Sequence, residues 1–230
     1  ASNFAGLPSG VLHVDEGGSA RVVNCAFEDI AGYATRARTG ATLSLEGNEF
    51  YGNTADADAR NAAVRATDGA YLFTSSNLFS GNTGTSISGS DASIESTADT
   101  FVAGTYAINL NGGSLTVSEA TITEPTITGI KASNAEGDVL IQGSAVNADP
   151  TTNTLSTAES WESGKADQGA GIYISAVGTV SITDVDISGF NHGGVAITAA
   201  SEDPVLTELS RLTITETGWQ GIFARDGEAT

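Results

Sequence analysis

Methionine is absent from the 230 residues, proline occurs four times and cysteine once. A chain without Met reads as processed, or as a piece of a longer one. The single cysteine, Cys25, excludes an internal disulfide framework and a thiolate zinc site. Positive charge is scarce: 9 Lys and Arg stand against 28 Asp and Glu, a formal net charge of -19. Phosphate binding needs clustered Lys and Arg, so this balance argues against a nucleic-acid partner. No apolar run approaches the ~20 residues of a membrane helix, so no membrane insertion by this segment is expected. The opening residues do not read as a secretory leader. What is plentiful is glycine, with 28 residues, and hydrophobic residues reach 40%, enough to bury a sizeable core.

The chain repeats itself, and a repeat of this length decides the fold. Ala41–Thr54 and Ala70–Thr83 share apolar, Asn, Phe, Gly and Thr positions. With the Phe as anchor the register extends through Phe27, Phe50, Phe79, Phe101, Ile122, Val146, Ile187 and Ile214, spaced by 23, 29, 22, 21, 24, 41 and 27 residues. The shorter spacings define a unit of 21–24 residues, and the longer ones mark insertions. Seven and five residues before most anchors stand further apolar residues, such as Leu43 and Leu45 before Phe50. Alternation at two is the mark of a strand with one buried face. A Gly followed by apolar alternation recurs at Gly129-Ile130, Gly171-Ile172, Gly194-Val195 and Gly221-Ile222.

Thr, Ser, Gly and Val are poor helix formers, and no apolar spacing at three and four appears. A unit with about three short strands cannot bury its own face, whereas stacked units can. The expected fold is therefore all-β: a single-stranded right-handed parallel β-helix of about eight to nine coils. Residues 1–230 form one continuous segment, with insertions at 54–61 and 147–169. The anchors form one inward column, and the Asn positions near them form corner ladders. Coils spaced at ~4.8 Å make a rod of about 40 Å.

These features resemble pectate-lyase-like right-handed parallel β-helices. Phe50-Tyr51-Gly52-Asn53 and Phe79-Ser80-Gly81-Asn82 are similar to the Phe-x-x-Asn element of polymorphic outer-membrane-protein and autotransporter passenger repeats. Gly193-Gly194-Val195-Ala196-Ile197 approximates their Gly-Gly-Ala-aliphatic element. The resemblance implies a secreted or surface-displayed protein: an adhesin, an appendage subunit, a lyase or a hydrolase.

Several constellations carry chemistry in principle. The 147–169 insertion holds Trp161 with Glu159, Glu162 and Asp167, a possible contact for a glycan or protein led by an aromatic anchor. The plainer reading folds Trp161 back against the rod. Asn53, Asp56 and Asp58 offer spaced oxygens to calcium, but the Gly and distal Glu of an EF-hand loop are missing and a solvated loop is the better reading. Asn191-His192-Gly193-Gly194 resembles the Gly-His-Gly segment of polygalacturonases, but the Asp-Asp pair and Arg-x-Lys clamp of those enzymes are missing, and His192 reads as a turn residue. Glycosidases need two carboxylates at a set separation, and lyases need a base beside cations. Neither set recurs in the outward columns, so no catalytic residues are expected. Five of the seven Arg fall within the first 65 residues, which suits either a less-acidic flank that meets the acidic remainder of a neighbour or, at least as well, scattered solubilising charge.

Function is thus expected to be structural or adhesive: an extracellular or cell-surface β-helix module with no enzyme activity and no required cofactor, calcium being the one candidate. Its partners are proteins or further copies of itself along the rod, with glycans a further ligand class. The alternatives are a polysaccharide lyase or hydrolase, and a non-catalytic glycan-binding module. No capping helix stands at either end, so caps are expected in flanking sequence or in a neighbouring subunit.

Overall fold

The computed structural model describes residues 2–8, 10–54, 62–153, 169–176, 178–199 and 207–225. Among these residues the chain is strand, turn and bend, without helix. It winds as a right-handed parallel solenoid of about eight turns, with three ladders of strands along its length.

The anchor ladder holds β1 (Asn3–Ala5), β4 (Ala26–Glu28), β7 (Glu49–Tyr51), β10 (Leu78–Ser80), β12 (Thr100–Val102), β14 (Thr121–Thr123) and β17 (Ala145–Asn147), then the second halves of β19 (Val180–Ser188) and β21 (Thr207–Thr215). A second ladder, sheet B, holds β3 (Ser19–Val23), β6 (Thr42–Glu46), β9 (Tyr71–Ser75) and the second halves of β11 (Thr85–Thr97) and β13 (Tyr106–Ser118). It continues through β16 (Val139–Gln142) and the first halves of β19 and β21. The third, sheet A, holds β2 (Leu12–Val14), β5 (Thr35–Arg38), β8 (Ala62–Thr67) and the first halves of β11 and β13. Beyond these lie β15 (Thr128–Ala135), β18 (Ala170–Ala176), β20 (Gly193–Ala199) and β22 (Gln220–Arg225). The long strands bend from one sheet into the next: β11 pairs with β8 through Thr85–Ser90 and with β9 through Ser93–Thr97.

The anchors stack as the spacing requires. Phe27 pairs with Phe50, Phe50 with Phe79, Phe79 with Phe101, then Ile122, Val146, Ile187 and Ile214 follow in register. All are buried except Ile214, which is half-buried because it sits on the last described coil. The column also starts one coil earlier than the repeat indicates, at Phe4, paired with Phe27. The rings of Phe27, Phe50, Phe79 and Phe101 lie parallel, with centroids 4.8, 4.8 and 4.9 Å apart. That spacing is the strand separation itself, so identical side chains in one column stack without adjusting their rotamers.

The corner between sheet B and the anchor ladder is made by one left-handed residue per coil: Asn24, Gly47, Ser76, Ala98, Glu119 and Gly143 all have φ between 52 and 61°. A side chain in that region costs ~1–2 kcal/mol. Each N–H is repaid by the next coil's carbonyl, as Ser76 to Thr97 at 3.0 Å and Ala98 to Ser118 at 2.8 Å. The corner is thus set by the stack, which is why it tolerates so many residue types.

The recurring glycine before sheet A has a different cause. A Cβ on Gly129 would lie 2.4 Å from Val146 Cγ1, and one on Gly194 would lie 2.5 Å from Ile214 Cγ2. These glycines admit the next anchor side chain into the core.

Candidate functional site

Trp161, Glu159, Glu162 and Asp167 lie outside the described residues, as do Asp56 and Asp58. Asn53 is described and is buried, 2% exposed. Its Oδ1 accepts from the Ile30 N–H at 3.0 Å, and its Nδ2 donates to Phe27 O and to Asn82 Oδ1. Its amide therefore belongs to an internal ladder, with its oxygen turned into the stack. No cluster of three metal-ligating side chains occurs among the described residues. Nor is any helix there long and apolar enough to cross a membrane.

A second ladder runs through the column of Cys25, Asn48, Asn77 and Asp99. Asn48 Oδ1 accepts from Cys25 N, Asn77 Oδ1 from Asn48 N, and Asp99 Oδ1 from Asn77 N, at 2.9, 2.8 and 2.7 Å. Asp99 ends it with a fully buried carboxyl that also accepts from Thr74 Oγ1 at 2.5 Å and Ser96 Oγ at 2.7 Å. Burial pushes its pKa above the ordinary carboxylate value, and the hydrogen bonds from Thr74, Ser96 and Asn77 partly oppose that.

The root of the 147–169 insertion is firmly tied. Asn153 Nδ2 donates to the carbonyls of Pro125 and Ile127, both at 3.2 Å, while its Oδ1 accepts from Asn191 N at 3.2 Å. Asn191 Nδ2 returns to Asn153 O at 2.7 Å and Pro150 O at 2.8 Å. Asp149 accepts from the hydroxyl and N–H of Thr151, which hold its carboxyl below the usual range. His192 sits at a turn as the sequence indicates, yet it is buried, with Trp219 edge-on at 5.5 Å and 89°. Trp219 itself is 52% exposed. The repeat did not single it out, because it falls between strands where no column predicts a partner.

An open aromatic surface lies on sheet B. Tyr71 and Phe73 point outward from β9 and are 50% and 42% exposed. Phe73 pairs in register with Ser44 on one side and Glu95 on the other. A groove of about 290 Å³ opens there, lined by Phe73, Glu46, Glu95, Ser44, Ser75 and Thr97 among others. Glu46 is ion-paired to Arg21 one coil away. An aromatic face between carboxylates and hydroxyls can stack a flat or apolar surface and hold a cation at its rim. None of these residues stood out in the sequence, because the groove is assembled from three separate coils.

Sheet A is its electrostatic opposite. Its nine strand stretches contain no Asp or Glu, in a chain with 28 of them. One outward column runs His13, Arg36, Arg65, Ser88, Asn109 and Lys131. Arg36 lies over the Tyr33 ring at 5.7 Å, and Lys131 over Tyr106 at 5.8 Å and Tyr173 at 6.0 Å. Arg38 pairs with Asp15 at 3.1 Å.

Residues 1–146 match the family described as right handed beta helix region, and the chain belongs to that family. No curated protein matches it.

Proposed function

We propose that this segment is an extracellular or surface-displayed structural module, a spacer, filament component or adhesive passenger similar to those of polymorphic outer-membrane proteins and autotransporters, with no catalytic activity of its own. The observation that carries this reading is the unbroken register of the anchor column from Phe4 to Ile214. A uniform cross-section of this kind suits a rod that spans distance and presents faces. An acidic surface supports the same reading, since high charge keeps an exposed rod soluble and salt screens its self-repulsion.

The test is a turnover screen on polyuronates and neutral glycans, with and without calcium. No turnover is expected. Turnover lost on changing Glu159, Glu162 or Asp167, or Glu46 and Glu95, would replace the module reading with a lyase or hydrolase. The module needs no cofactor, so its melting temperature should be the same in calcium and in chelator. A large rise in calcium would instead assign a structural metal.

A second reading is favoured by one feature, the exposed Tyr71 and Phe73 pair. It is a non-catalytic glycan-binding face, and retardation in a polysaccharide gel that Phe73→Ala abolishes would support it.

A further inference from the structure

We infer that sheet A of one molecule docks on sheet B of a second copy, with Arg36 and Arg65 entering the groove over Phe73 between Glu46 and Glu95. The inference rests on the structural-module reading and names the partner and both surfaces.

Charge distribution is the first argument. The chain carries -19 overall, and yet the strands of sheet A hold no carboxylate while five of its nine Arg and Lys, Arg36, Arg38, Arg65, Lys131 and Arg225, lie on them. Sheet B presents Glu46, Glu95 and Glu208 from its strands. The surface that complements the cationic sheet is therefore present on every other copy of the same chain.

The groove's chemistry is the second. An Arg side chain carries an apolar stem and a flat guanidinium. Phe73 offers a face for stacking, and Glu46 and Glu95 offer charge-assisted hydrogen bonds at either side. Arg21 already pairs with Glu46 from within the chain, so this rim accepts a guanidinium.

Spacing is the third. Arg36 and Arg65 occupy adjacent rungs of one column, and Glu46, Phe73 and Glu95 lie on three successive coils. Both surfaces repeat at the ~4.8 Å strand separation. Two rods laid side by side with axes parallel are therefore commensurate along their length, and a contact made at one coil is made again at the next. Nine strands by about six residues give sheet A a footprint of roughly 40 by 20 Å, about 800 Å² per partner, the size of an ordinary specific interface.

The interface joins two different faces, so it propagates: a docked pair keeps one free A face and one free B face. Opposing it is the repulsion between two strongly acidic molecules. At 0.01 M salt that repulsion reaches about 30 Å, and at 0.15 M only about 8 Å, which leaves contact-range pairs largely intact. Association should therefore be weak at low salt and rise toward 0.15 M, the reverse of a simple surface ion pair.

Sedimentation velocity on the full chain is the experiment, over a concentration series at both salts. The wild type should form concentration-dependent oligomers at 0.15 M and fewer at 0.01 M. A variant with Arg36→Glu and Arg65→Glu and a variant with Glu46→Lys and Glu95→Lys should each be monomeric alone. Mixed, they should assemble again, because the two intact faces pair as in the wild type and the exchanged charges complement each other at the other junction. Circular dichroism and melting verify that both fold. Phe73→Ala, which changes no charge, is the second probe and should lower association at least tenfold. A wild type that stays monomeric at high concentration in 0.15 M salt overturns the inference, as does a charge-reversed variant that assembles like the wild type. A monomeric wild type whose Phe73 retains polysaccharide overturns it too, and gives the groove to a glycan. None of these outcomes touches the activity screen, which alone decides whether the segment is a non-catalytic module.

Discussion

Gly171 lies so close beneath Ile187 that a Cβ at residue 171 would stand 2.5 Å from Ile187 Cγ2. The same atom would be 2.9 Å from the Gly194 carbonyl oxygen and 3.2 Å from the Phe190 ring. The backbone at Gly171 is in an ordinary region, so space alone demands glycine. Gly171→Ala should lower stability by ~1–3 kcal/mol, the cost of overpacking a dense core. Equilibrium urea unfolding measures this, and a loss below ~0.5 kcal/mol would mean that the coil widens freely.

The repeat and the β-helix were legible because a stacked coil writes its inward columns into sequence at a fixed spacing. Phe50 and Phe79 stand at the same place in two nearly identical units. Phe4 escaped because no alternating strand precedes it to mark its coil. The glycine before Ile130, Ile172 and Val195 was visible as a motif, but its cause was not, since the colliding anchor belongs to the next coil. The Arg-rich flank was legible in part, but the groove over Phe73 and the carboxylate-free sheet A were not. Their members come from different coils, and which residues share an outward face depends on where each corner falls. Glu46 and Glu95 are 49 residues apart in sequence, and only the register sets them on either side of Phe73.

Phe79 stacks between Phe50 and Phe101 at 4.8 and 4.9 Å and is fully buried. Phe79→Ala should cost ~3–5 kcal/mol, the range for large-to-small core changes. The coils above and below are pinned by backbone hydrogen bonds on three sides, so the gap cannot close. Phe79→Leu, which keeps most of the volume, should recover more than half of that loss. Urea unfolding of both variants checks the ratio, and an alanine cost below 1 kcal/mol would contradict the position assigned to this ring.

Asn77 stabilises two coils at once. It accepts from the N–H and the amide of Asn48 and donates to Leu45 O at 3.1 Å. Asn77→Ala leaves the buried Asn48 N–H without its acceptor, and each stranded buried group costs ~1–3 kcal/mol. A total loss of ~2–4 kcal/mol is expected, with faster amide exchange at Asn48 as its local sign. Unchanged exchange at Asn48 would show that the corner is held by the strand ladders alone.

Asp99 replaces an asparagine at the end of the same ladder, and that gives a pH dependence. Its buried carboxyl has a folded pKa above the ordinary 3.8. Between 3.8 and the raised value the folded chain holds a proton that the unfolded chain has lost. Stability from this group is therefore greatest below that window, falls as pH rises through it, and stays lower at neutral pH. Asp99→Asn removes the charge and keeps the shape. Its oxygen can still accept from Asn77 N–H, and its amide can donate toward the Thr74 carbonyl as Asn77 donates to Leu45 O. The variant should be more stable than the wild type at pH 7, and its advantage should shrink as the pH is lowered toward 3.8. Paired urea unfolding curves across that range isolate Asp99 from the many surface carboxylates, which titrate alike in both proteins. A variant that is less stable at pH 7 would mean that the four hydrogen bonds donated to the carboxylate outweigh its burial.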